Sequence, residues 1–378
     1  VSNHDDEPNW DAVALVDDST VPTGAEINVP VETLADRDKW LRQAINRLQA
    51  VNFPIHPDQS SIGEMKAAVY DPKYRKWHVC GATGNVRTSQ NHGLMWSGIS
   101  EVAGVASGED CVAIDVDPNG NAVVATDAAY VFEKTASTDV WTRPAVSLVS
   151  PSNAQVVHDP VHSKWVLFAM SAGSPAILTS TNRTSWSAGT APSSFGTTTR
   201  HNMRCNKTSG RIVLIAQATG GTTIKIRTSD DAGTTWTTRS DVSCGIGPVD
   251  NVALVRDTNA ANRWLLIVNR TTGAWNSEVW ESTDDGATFT RICQFFTNAM
   301  YRCAPCGDST LVGITLSPSI NRNEVIYSLD GGVTWAPSGV CLAGSVRGVF
   351  AGDGVAVVTS SDILMSARAG YSAYAALT

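Results

Sequence analysis

From about residue 63 the chain alternates short apolar runs with turn signals. Each unit opens on a run that ends at a turn: Ala67-Ala68-Val69-Tyr70-Asp71-Pro72, Val112-Ala113-Ile114-Asp115-Val116-Asp117-Pro118 and Val156-Val157-His158-Asp159-Pro160. Such runs read as buried strands, because Pro cannot continue a ladder and Asp bonds to its own turn. A second run follows, opened by a basic residue and Trp: Lys76-Trp77-His78-Val79, Lys164-Trp165-Val166-Leu167 and Arg263-Trp264-Leu265-Leu266. A third run leads into a polar turn. One helical pattern precedes the units. Thr33 is placed to cap it, with Asp36 in the third helical position. Leu34, Leu41, Ile45 and Leu48 sit near heptad spacing with Trp40 and Ala44 beside them, and Asp36, Arg37, Asp38, Lys39, Arg42 and Arg47 fill the other positions. Pro54 and Pro57 end it. An amphipathic stripe must be buried, either on the chain's own body or on another chain.

The polar turn repeats as S-x-D-x-G-x-T-aromatic. Full copies are Ser229, Asp231, Gly233 and Trp236; Ser282, Asp284, Gly286 and Phe289; and Ser328, Asp330, Gly332 and Trp335. Ser and Asp side chains bond within a tight turn, Gly supplies a positive φ, and the aromatic anchors the hairpin in an apolar layer. Weaker copies run from Ser89 to Trp96, from Ser180 to Trp186 (one residue short) and from Ser366 to Ala373, and Trp141 closes a degenerate one. The motif resembles the Asp-box of sialidase-like β-propellers. Closing positions 96, 141, 186, 236, 289, 335 and 373 are spaced as four-stranded blades of roughly 40–50 residues would be. The expected fold is therefore all-β: a seven-bladed β-propeller over 63–378, carrying an N-terminal extended arm and one short helix in 1–62. The box is a structural brace, so it implies a fold and not an activity.

Composition narrows the function. The 378 residues are 42% hydrophobic and 17% charged, with a formal net charge of −8. That balance argues against nucleic acid or an anionic membrane as partner. No apolar run is long enough for a membrane span, and the start, Val1 to Pro8, has no signal-peptide pattern. The eight cysteines permit disulfides, but a chain of this size needs none, and they read as buried small side chains. Cys303-Ala304-Pro305-Cys306 has no second pair and no nearby His, so no metal site is expected. No cofactor motif occurs.

In a propeller the first strand of each blade lines the channel. Aligned on the turn residues 71, 117, 159, 206, 257, 308 and 353, the positions six residues earlier are Met65, Cys111, Asn153, Arg200, Asn251, Arg302 and Arg347. Three guanidinium groups at one mouth could clamp a carboxylate or sulfate, or pair with Asp from the next blade. Trp275, in an insertion on the same rim, suits stacking on a sugar or a partner protein. His158 and His201 read as hydrogen-bonded channel-wall residues.

Resemblance to sialidase-like enzymes implies that an Arg cluster holds the substrate's carboxylate. The family's Arg-Ile-Pro motif is absent, and no Tyr–Glu pair or general acid can be singled out, so an enzyme is not expected. The alternative is a sialidase-like glycoside hydrolase or a glycan-binding lectin. Asn28-Val29-Pro30-Val31-Glu32-Thr33-Leu34-Ala35-Asp36-Arg37 resembles segments near the N-termini of phage tail and fibre proteins. That resemblance implies a structural or adhesive protein of a virion or tail-like particle. Leu34, Trp40, Leu41, Ile45 and Leu48 would anchor it to other particle proteins, and the propeller would face outward toward a host-surface glycan.

Overall fold

The computed structural model describes residues 64–368, apart from short internal segments that include 91–95, 147–150, 245–248, 271–276 and 318–321. All of these belong to the unit Asn46–Thr378. The expected arm and helix in 1–62, with Leu34, Trp40, Leu41, Ile45 and Leu48, lie outside the described residues, as does Trp275.

The described chain is all strand except for a single 3-10 turn, Ala82–Gly84. Its strands form consecutive antiparallel sheets, each a meander in chain order. Their inner strands are Met65–Asp71, Cys111–Val116, Pro151–Asp159, Thr198–Cys205, Val249–Arg256, Ala299–Pro305 and Val346–Gly352. The first six sheets carry four strands each along this path, the fourth also taking Val242–Ser243. The last, Val346–Arg368, carries three. The expectation of seven complete units is thus corrected to six complete blades and a three-stranded sheet. The strand expected near Tyr371 to Leu377 lies outside the described residues.

Packing is between neighbouring sheets, as the apolar runs require. Val166, Phe168, Met203 and Leu214 join the third to the fourth, and Val213, Ile215, Leu254 and Trp264 join the fourth to the fifth. Trp77, Trp165 and Trp264, which open the second strands, are at most 1% exposed. The ring closes where the last inner strand packs on the first. Phe350 joins the cluster of Met65, Ala68, Trp77 and Val79 there. A Cβ at residue 352 would lie 2.2 Å from the Tyr70 side chain, so Gly352 is what lets the two strands meet.

The three full polar turns share one bonding pattern. Ser229 Oγ donates to Asp231 Oδ1 (2.8 Å) and accepts from the Gly233 amide (2.8 Å). Asp231 accepts from the amide (2.8 Å) and hydroxyl (2.6 Å) of Thr235. Ser282, Asp284, Gly286 and Thr288 repeat it, as do Ser328, Asp330, Gly332 and Thr334. The glycines have φ of 79°, 83° and 98°, a region closed to most side chains. Trp236, Phe289 and Trp335 pack half-buried against the clusters between sheets.

Turns also latch one sheet to the next. Asp285 is 7% exposed; its Oδ1 accepts from Asn206 Nδ2 (2.8 Å) in the fourth sheet's first turn and from Trp264 Nε1 (2.8 Å), and its Oδ2 accepts from Ser209 (2.8 Å). Arg263 pairs with Asp257 (2.7 Å) and Glu281 (2.5 Å) and also donates to the Gly331 carbonyl in the sixth sheet. Arg183 pairs with Glu133 of the second sheet at 3.2 Å.

Candidate functional site: an arginine ladder at one mouth of the channel

The inner strands surround a central cavity of about 580 Å³. A smaller cavity of about 210 Å³ opens beside it, lined in part by Gln155, Arg200, His201, Asn251 and Arg302. Arg302 lines both, so it stands where the two meet. The structure thus places Arg200 and Arg302 on the same small cavity.

Their levels differ from the expectation, and local hydrogen bonding gives the reason. The turn after the sixth inner strand starts at Cys306, whose amide bonds to the Thr310 carbonyl. It matches Asp117 to Asn121, Asn206 to Arg211 and Asp257 to Arg263. Asp308 is therefore not the equivalent turn residue. Counted from Cys306, Arg302 stands level with Asn202, one strand step deeper than Arg200. Arg204 is one step deeper again. Arg200, Asn202 and Arg204 alternate along one side of the Thr198–Cys205 strand, while Met203 and Cys205 enter the apolar cluster behind it. Arg204 was missed because only one position per unit was compared; the i, i+2, i+4 spacing on a strand was the available signal.

Arg347 departs from the set. All seven inner strands carry a register shift, and in the last it falls between Val346 and Gly348, so Arg347 is the bulged residue itself. Gly348 takes the cavity-lining position. The Arg347 side chain lies outside the described residues.

The ladder is electrostatically crowded. Burial lowers the Arg302 guanidinium to about 10, and the neighbouring Arg204 and Arg200 charges push it the same way. Burial also lowers Arg204, with Asp115 opposing. Arg302 Nη1 reaches the Val252 carbonyl at 3.4 Å, and Arg204 Nη1 donates to the Met203 carbonyl at 3.0 Å. A buried anion would relieve this repulsion and accept bonds from planar donors.

Deeper along the channel, Lys207 Nζ bridges Asp115 Oδ2 (2.5 Å) and the His158 carbonyl (2.7 Å), tying the fourth sheet to the second and third. The His158 amide also donates to Asp115 Oδ2 (2.6 Å). The His158 ring is 5% exposed, lies 4.7 Å from the Trp165 ring, and leaves Nδ1 without a hydrogen-bond partner among the described residues. His158 stands in the channel wall, hydrogen-bonded through its backbone, with its ring tilted 55° against that of Trp165. Burial, then Lys207, lowers its pKa to about 4 against Asp115, Asp117 and Asp159. His201 lines the smaller cavity, its ring 4.7 Å from Phe168. Among the described residues lining that cavity there is no Tyr, Asp or Glu.

No protein-family model and no curated protein matches the chain. Solved structures do. YCF48 from Cyanidioschyzon merolae is 14% identical with a TM-score of 0.61, over 84% of this chain and 98% of that one. YCF48 bound to D1 peptide is 12% identical with a TM-score of 0.60, over 83% and 95%. The β-propeller domain of Cps50 (Swd1) from Myceliophteria thermophila is 10% identical with a TM-score of 0.56, over 83% and 99%. At such identities the likeness carries the fold alone, and that fold is a β-propeller.

Proposed function

We propose that this protein is a non-catalytic binding propeller that takes an anionic group, such as the carboxylate or sulfate of a surface glycan, at the Arg200, Arg302 and Arg204 ladder. The observation that carries the reading is the convergence of three guanidiniums on successive levels of one channel mouth, where burial first and then the Arg204 and Arg200 charges lower Arg302 to about 10. A mouth lined by Arg, Gln, Asn and His, with no Tyr or carboxylate among its described residues, has donors for an anion and no group for sialidase-like turnover. One of the structures of similar fold is described as bound to a peptide, which supports reading a propeller of this kind as a binding module. In this reading the Val346–Arg368 sheet is a seventh blade and the three bonded turns are Asp-boxes. Residues 1–62 attach the propeller to a virion or tail-like particle, a role that rests on the likeness of Asn28 to Arg37 to phage tail segments.

Binding of sialylated, uronate and sulfated glycans on an array tests it, with Arg302→Ala beside the parent. A guanidinium bond to a carboxylate contributes roughly 1.5–3 kcal/mol. Arg302→Ala should therefore weaken binding about tenfold to a hundredfold, with the melting temperature unchanged or slightly raised as repulsion is relieved. Equal binding by parent and variant would sink the anion site. Release of fluorophore from a sialoside would overturn the non-enzyme reading.

A further inference from the structure

The seam between the first and second sheets holds a pair of thiols. Cys80 lies on the second strand of the first sheet, opposite Ala67 and Val86. Cys111 opens the inner strand of the second sheet, opposite Thr126. Both are 0% exposed and share one apolar cluster with Ala67, Val86, Val102 and Phe132. Both are free thiols in the structure, on strands that touch across the seam, and each lies close enough to act on the other's charge. On its other side the first sheet meets the last by packing around Phe350 and Gly352, with no strand shared among the described residues.

We propose that Cys80 and Cys111 form a disulfide that staples the first blade to the second. The two thiols release two protons and two electrons to a small-molecule disulfide, such as oxidised glutathione. That oxidant leaves as two thiols while the Sγ–Sγ bond forms. Attack requires a thiolate. Burial, then the neighbouring Cys111, raises the Cys80 thiol well above its usual value, and an oxidant has no route to a side chain with no exposed surface. The bond therefore forms while the chain folds, before the seam closes, and is shielded from reductants afterwards. It closes a loop of about 30 residues, long enough to remove appreciable chain entropy from the unfolded state.

The test is to refold the full chain in a glutathione redox buffer, digest it without reduction and sequence the linked peptides by mass spectrometry. One pair joining residues 80 and 111 is expected, with two fewer free thiols than the eight of the reduced chain. The oxidised protein should melt roughly 3–8 °C above the reduced one. Cys80→Ala and Cys111→Ala should each abolish the linked pair and the melting difference. The wild-type peptide map decides the matter even if neither variant folds. Eight free thiols after oxidative refolding, a link between other cysteines, or equal melting of the two forms would overturn the proposal.

Discussion

At the scale of single residues, the buried groups set the pH response. His158 is held neutral, its pKa lowered to about 4 from an ordinary 6.5 by burial first and then by Lys207. A depressed histidine means that the unfolded chain binds the extra proton first. Its contribution is therefore whole above about pH 6.5 and is lost as pH falls from there toward 4. The loss is on the order of 3 kcal/mol, from about 1.4 kcal/mol for each pH unit. The urea midpoint should fall between pH 7 and pH 4.5, and His158→Phe, which keeps a ring on Trp165, should flatten that fall. An unchanged slope in the variant would place the acid sensitivity elsewhere. Lys207, Asp115, Asp117 and Asp159 stay in place in both proteins, so the comparison isolates the ring.

At the scale of the element, adjacent aspartates in one turn do different work. Asp284 closes the turn on itself: burial opposes its charging, but bonds from Thr288 and Ser282 outweigh that and lower its carboxyl. Asp285 faces the neighbouring sheet and receives Asn206, Trp264 and Ser209. Asp284 is exposed, so Asp284→Ala should cost about 1 kcal/mol. Asp285→Ala leaves buried donors on two sheets without their acceptor and should cost about 3 kcal/mol. Chemical denaturation of both variants checks the order, and equal losses would mean that the latch between sheets contributes little. The motif marks Asp284 by its spacing, whereas Asp285 occupies a variable position that is Ala232 in one copy and Gly331 in another. No pattern in the chain announces a partner 79 residues away.

At the scale of the whole molecule, the ring is held by packing from sheet to sheet and closes where the last inner strand packs on the first. Deleting 1–62 should leave the propeller folded, with a strand-type circular dichroism spectrum and a melting temperature within a few degrees of the parent. In the proposed role it should also abolish attachment to the particle. Co-sedimentation of full-length and truncated protein with particles measures the second outcome. A truncated protein that still co-sediments would remove the anchoring role while leaving the anion site untouched.

What the sequence determined by itself is local. Apolar runs closed by Asp-Pro, Trp at the start of three of the second strands, and the Ser-Asp-Gly-Thr turns depend on near neighbours, so strands and turns could be read from spacing. Arg200 was found by counting back from its own turn at Asn206, and Arg302 by a count from position 308 that overshoots its turn by two residues. Only the tertiary structure decided the rest. The bulge in the last inner strand shifts Arg347 out of register, and Arg302 sits one step deeper because its turn begins at Cys306. Arg204 joins the ladder because the fourth and sixth inner strands converge on the axis. Lys207 reaches Asp115 across an intervening sheet, and Cys80 meets Cys111 at a seam. These contacts join residues far apart in the chain, and their positions follow from how sheets stack around a ring. That stacking depends on packing of whole faces, a property that no short stretch of sequence contains.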